Sequence, residues 1–191
     1  MPKIVDYPEV LQRLAEQGLR CLYHNSGSFG FAPDLRVLMR GWIGPDDPTI
    51  RPAAMEQAVR IQPPYEQRLA QMFTATWQEL GSQLWIMPGS HWTYELDFGS
   101  ASWLPEALLQ SQIDPAALQA RNNGSAIAFD LGQAHLATSF IDRLLHNLVG
   151  SDFVLAFPDR PVVCLLHHHK QLWWQTTDAA FYEQIKSAEL F

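Results

Sequence analysis

The sequence predicts an α+β fold: a mainly antiparallel sheet with helices packed on one face. Three observations predict it. Helical patterns dominate the first part of the chain, strands then mix with helices, and the chain closes strand–strand–strand–helix. The last three strand segments are joined by connections too short for a crossover, which makes them antiparallel neighbours. Strict alternation of strand and helix, the mark of a doubly wound parallel sheet, is missing.

Residues 6–18 read as a helix. Asp6 and Glu9 have capping-box spacing, Pro8 suits a first turn, Val10, Leu11 and Leu14 form an apolar stripe, and Gly18 suits the position after the last turn. Arg20–Tyr23 is a short strand and Leu35–Ile43 an extended apolar run, separated by the Gly/Ser/Asn-rich segment His24–Pro33. Gly44–Pro52 holds three prolines and must be a loop. A helix is expected over 53–61. A stronger one is expected over 64–80, where Tyr65, Leu69, Met72, Phe73, Trp77 and Leu80 recur at helical spacing and Gly81 stops them.

Gln83–Met87 reads as a strand and Pro88-Gly89 as a turn. His91–Phe98 also reads as a strand, with Trp92, Tyr94, Leu96 and Phe98 on one face and His91, Thr93, Glu95 and Asp97 on the other. Helices are expected at 103–112, from Asp114-Pro115 to Asn122-Asn123-Gly124, and over Ser139–Val149 with Ser139 and Asp142 as caps. Ser125–Asp130 is a strand. Asp152–Phe157, Val162–His168 and Gln171–Thr176 are the three closing strands, and Thr177 caps a last helix over 178–188.

The chain has 191 residues, 47% of them apolar and 17% charged. That composition excludes disorder for the bulk of the chain and supports one domain over residues 1–191, with 1–50 as an N-terminal lobe or wrapped extension bounded by the Gly44–Pro52 loop. No apolar run approaches the roughly 18 residues that a membrane helix needs. Lys+Arg total 13 against 20 Asp+Glu, for a net charge of −7 without a basic stripe. Phosphate-driven nucleic-acid binding and attraction to anionic membranes are therefore not expected. The N-terminal stretch lacks the apolar core of a secretory signal, so a cytoplasmic protein is expected. The two cysteines, Cys21 and Cys164, each sit in apolar sequence and read as buried free thiols.

Chemistry concentrates in His167-His168-His169. On a strand, His167 and His169 share one face, and such a pair can reach one metal ion. With His91, Glu95 or Asp97 from the other strand, a His/His/carboxylate set would suit zinc or iron. Glu95 and Asp97 would lie roughly 6.6 Å apart, a workable acid–base pair. A solvated strand end explains the same residues. His24-Asn-Ser-Gly-Ser-Phe-Gly30 matches no phosphate-loop or nucleophile-elbow pattern, and Asn122-Asn123-Gly124 is turn chemistry.

Aromatic residues make up 12% of the chain, including seven tryptophans. Trp173 and Trp174 are adjacent on a strand and face opposite sides, so one could be exposed as a contact residue. The leading expectation is a non-catalytic intracellular domain that binds a protein or small molecule through an aromatic-bearing sheet surface at Trp173 and Trp174, with no cofactor. Edge-strand homodimerisation would mimic such a surface. The alternative is a metal-dependent hydrolase-like enzyme using His167 and His169 with His91, Glu95 or Asp97.

Overall fold

Apolar runs such as Leu84–Pro88 and Phe153–Phe157 have no polar side to offer water, and the fold buries both faces of them. The computed structural model describes residues 1–23, 29–44, 58–61, 65–121 and 124–187. In chain order its elements are β1 (Lys3–Val5), α1 (Tyr7–Glu16), β2 (Cys21–Tyr23), β3 (Phe29–Phe31), β4 (Leu38–Ile43), β5 (Ala58–Arg60), α2 (Tyr65–Leu80) and β6 (Leu84–Pro88). Then come α3 (Trp92–Tyr94), which continues as a π-helical turn over Glu95–Gly99, α4 (Leu104–Gln110), α5 (Pro115–Gln119), β7 (Ala126–Phe129) and a 3-10 turn at Leu131–Gln133. The chain closes with α6 (Ala134–Asn147), β8 (Phe153–Phe157), β9 (Val162–His167), β10 (Gln171–Thr176) and α7 (Ala179–Ser187).

Eight strands form one sheet in the order β1-β7-β6-β8-β9-β10-β4-β5, and β2 pairs with β3 separately. The sheet is mixed, where a mainly antiparallel one is expected: β5 runs parallel to β4 at the edge. Residues 44–57 separate these strands, and about a dozen residues suffice for the return that a parallel neighbour needs. Ala58–Arg60 is thus a strand and not the end of a helix over 53–61; residues 53–57 of that segment, like 45–50, 24–28 and Asn122-Asn123, lie outside the described residues. Both β1 and β4 are strands of the large sheet, so residues on either side of α1 share its hydrogen bonding.

Alternation sorts the side chains into two cores. Leu84, Ile86, Ile127, Phe129, Phe153, Leu155, Phe157, Cys164, Leu172 and Trp174 pack with Phe73, Trp77, Leu108, Phe140, Ile141 and Phe181 of the helices. Trp85, Met87, Val154, Ala156 and Val163 point the other way. Left bare, that second face would be apolar, and Val10 and Leu14 of α1, with Phe29 and Phe31 of β3, cover it. Helices on one face alone is therefore a correction: α1 and the small sheet form a third layer.

Two further local expectations change. The helix expected at Ser139 starts earlier, at Ala134, because Asp130 and Gln133 form a reciprocal capping box in the preceding 3-10 turn. Asp178, not Thr177, caps α7, its Oδ1 accepting from the amides of Ala180 (2.8 Å) and Phe181 (3.2 Å). Burial holds Cys21 and Cys164 as free thiols.

Trp174 is 1% exposed and sits in an aromatic cluster. It stacks on Phe73 (5.3 Å) and Phe157 (5.8 Å) and meets Trp42 (5.5 Å) and Phe181 (5.7 Å) edge-on. Trp173, 8% exposed, lies on the opposite face over Gly41 of β4, where an added Cβ would come within 2.6 Å of its ring. The two tryptophans do face opposite sides, and both are buried. Neither presents a contact surface, which moves any binding surface elsewhere.

Two outcomes follow for stability and reactivity. Trp174→Ala should cost about 3–5 kcal/mol, read as a fall in urea midpoint without loss of the cooperative transition. A loss under 1 kcal/mol would mean that the cluster is not packed as described. Burial pushes the Cys21 thiol up to about 12 and that of Cys164 well above its ordinary range. Hardly any thiolate then exists at pH 8, so iodoacetamide should leave the native protein unmodified by mass and label both cysteines in urea. Rapid native labelling of either would contradict their burial.

Candidate functional site

The register of three strands gathers a set of polar residues at one end of the sheet. Pro88 at the end of β6 is opposite Phe153 at the start of β8, and Phe153 is opposite Leu166 near the end of β9. Gly89-Ser90, Gly150-Ser151-Asp152 and His167-His168-His169 therefore emerge side by side. The Gly89 amide donates to the Asp152 carbonyl (2.7 Å), and a Cβ on Gly89 would press that carbonyl at 3.1 Å. Gly150 turns the chain into β8 with φ +76°.

Over this end lies α3. Its segment is the expected strand His91–Phe98, and the strand expectation is corrected: Trp92, Glu95 and Leu96 are buried and Tyr94 and Phe98 exposed, a helical and not a two-residue period. Trp92 anchors it, donating from Nε1 to the Ser125 carbonyl (2.5 Å) and meeting Phe153 edge-on. The π-helical turn is closed by the Ser100 amide on the Glu95 carbonyl (2.8 Å). Turns of that kind recur at functional sites.

Its effect is to aim Glu95 inward. Glu95 is 0% exposed and accepts three hydroxyl hydrogen bonds, from Ser90 to Oε1, from Ser100 to Oε2 (2.9 Å) and from Ser151 to Oε2 (3.0 Å). Gly99 makes room, since a Cβ there would meet Glu95 Oε2 at 2.9 Å. Each donor comes from a different connection, so one carboxylate ties the end of β6, the end of α3 and the start of β8 together.

Beside it opens a cleft of about 280 Å³ lined by Phe29, Ser90, Tyr94, Ser151, Asp152 and His168, with Gly89, Gly150 and Leu165 completing its wall. Asp152 Oδ1 accepts from both the backbone amide (3.0 Å) and Nδ1 (2.8 Å) of His168. With Nδ1 committed to a carboxylate, Nε2 of His168 is the nitrogen left with a lone pair.

The three histidines turn together. β9 ends at His167, and His167–Lys170 form a turn closed by the Lys170 amide on the His167 carbonyl (2.9 Å), with Lys170 in the left-handed region (φ +61°). The His167 ring stacks on those of His168 and His169, with centroids 4.2 and 5.0 Å away, and the His168 and His169 rings, 4.3 Å apart, are tilted to each other. His168 thus joins His167 and His169, where strand geometry would point it away. Lys170 Nζ pairs with Glu66 of α2 at 2.8 Å, clamping the turn to the helix layer. Burial alone would raise the Glu66 carboxyl, yet the Lys170 hydrogen bond, a backbone hydrogen bond and the charges of Lys170 and His146 together outweigh it and hold the group below its ordinary range. The Glu66 hydrogen bond in turn raises Lys170.

Among the described residues, His167, His168 and His169 are the one group of three or more His, Cys, Asp or Glu side chains able to share a metal ion. The expected partners do not join them. Glu95 is enclosed by serines, Asp97 is exposed and accepts from Gln119 (3.0 Å), and His91 precedes α3, its carbonyl accepting from the Glu95 amide (3.0 Å). Ser90, Ser151, Asp152 and His168 were not legible as a set, because only the strand register brings them together. Gly-Ser pairs directly beside apolar strands were the available signal. Comparison with protein-family models, curated proteins and solved structures finds no match for this chain.

Glu95→Ala would strand three hydroxyl donors, two of them on buried serines. It should cost about 3 kcal/mol or more, against about 1 kcal/mol for Ser90→Ala, compared by urea unfolding. Equal effects of the two variants would show that Glu95 does not organise this end of the sheet.

Proposed function

We propose that this chain is a small-ligand-binding domain and that its ligand presents a positively charged hydrogen-bond donor, an ammonium group, to the cleft beside Glu95. One observation carries it: the three serine hydroxyls give their protons to Glu95. A hydroxyl has one proton and two lone pairs, and a carboxylate has only lone pairs. Ser90 and Ser151, with their protons spent, meet the cleft as acceptors. Asp152 adds a carboxylate to the wall, and none of the described residues that line it is Lys or Arg.

Such a wall repels anions and favours donors. Phe29 and Tyr94 add aromatic side chains to the same cleft, whose ring faces favour cations. A few convergent polar groups among apolar ones is the general make-up of a small-molecule site. This retains the expected ligand-binding role and moves it from Trp173 and Trp174 to the end of the sheet.

Calorimetric titration with 1,4-diaminobutane and with succinate, two probes of similar length and opposite charge, tests this without added metal. The diamine should bind, more weakly as salt rises, and at least tenfold more weakly to Asp152→Asn. Succinate should give no binding heat. Tighter binding of succinate, or diamine binding indifferent to Asp152→Asn, would overturn the proposal.

A further inference from the structure

We propose that His167, His168 and His169 hold one divalent transition-metal ion of the zinc type, with Asp152 as the outer carboxylate that orients His168. This goes beyond the ammonium reading and does not rest on it.

The donor atoms fit. One nitrogen from each ring lies within 4.8 Å of the others. In a tetrahedral zinc site with bonds of about 2.0–2.1 Å, ligand nitrogens sit about 3.4 Å apart. Closing that gap requires side-chain rotation, which also releases His167 Nδ1 from the His169 backbone amide that it accepts at 3.2 Å. Imidazole nitrogen is a ligand that zinc and its neighbours in the first transition row share. Three protein nitrogens also leave one position of a tetrahedral ion open.

A second, independent observation separates this turn from a chance run of histidines. Histidines that bind metal commonly donate the other ring nitrogen to a carboxylate, which fixes the tautomer and the ring orientation. His168 does so to Asp152 Oδ1 at 2.8 Å, and the same oxygen accepts the His168 backbone amide at 3.0 Å. That carboxylate comes from the start of β8, sixteen residues away in sequence, and is 29% exposed. The turn itself is held at both ends, by the β9–β10 register at His167 and by the Lys170–Glu66 pair. A solvated surface run would need none of these supports.

The experiment is a zinc titration of the tag-free protein in competition with a chromophoric chelator, and cobalt(II) substitution read by its visible spectrum. One equivalent should bind, and cobalt should show the intense bands of a tetrahedral ion. His168→Ala should weaken zinc by more than about 100-fold, and Asp152→Asn, which removes no ligand, by about 10–100-fold. His167→Ala and His169→Ala give a second pair of ligand losses should His168→Ala misfold by circular dichroism. His146→Ala, at an exposed histidine of α6, should change nothing. Adventitious histidine affinity only would appear as weak octahedral cobalt bands, more than one equivalent, or an Asp152→Asn affinity equal to wild type, and any of these overturns the proposal. Because the diamine titration contains no metal and this one no amine, either proposal can fail alone.

Discussion

A fully buried carboxylate has to be satisfied, and the way Glu95 is satisfied organises one end of this protein. Desolvating such a group without partners costs far more than the few kcal/mol that separate folded from unfolded. Here three hydroxyls from three connections do the work. Meeting that demand wraps Glu95–Gly99 into a π-helical turn, brings the residues after β6 and before β8 into contact with it, and keeps Gly99 free of a side chain. The cleft and the direction of its hydrogen bonding follow from the same requirement. A carboxylate that can only accept turns its serines into acceptors toward everything else.

The site stands on a sheet that is buried on both sides. Helices α2, α4, α6 and α7 cover one face and α1 with the β2–β3 pair the other. That burial makes strands β6, β8 and β9 a rigid base whose ends present short polar loops. The aromatic cluster around Trp174 lies at mid-strand, where Trp174 is opposite Cys164 of β9 and Arg40 of β4, and on the helix side. Polar and apolar residues are thus divided along the strands: apolar residues fill their middles, and Ser, Asp and His sit one or two residues beyond their ends. Nothing in this arrangement bears on membranes beyond the fact that, among the described residues, no helix is long and apolar enough to cross one.

Much of the framework was legible from local pattern. The sixteen residues of α2 repeat their apolar positions at helical spacing, and β8, β9 and β10 are separated by turns that admit one topology. The positions that resisted were those where a distant partner decides. Residues 91–98 alternate like a strand, yet alternate residues also include i, i+4 pairs such as Tyr94 and Phe98, and burial of Glu95 selects the helix. The Trp173-Trp174 pair reads as leaving one ring exposed until β4 supplies Gly41 beneath the ring of Trp173. His168 reads as pointing away from its neighbours until the turn at Lys170 swings all three rings together. In each case the missing information was the identity of the residue across the sheet or turn, which a single sequence does not carry.

Neutron diffraction from a deuterated crystal at neutral pH tests the central claim most directly, because it locates the serine deuterons. The deuterons of Ser90, Ser100 and Ser151 should each lie on the line to a Glu95 oxygen, with oxygen lone pairs of Ser90 and Ser151 turned to the cleft. A deuteron on the Glu95 carboxyl, or the deuterons of Ser90 and Ser151 pointing into the cleft, would contradict the account.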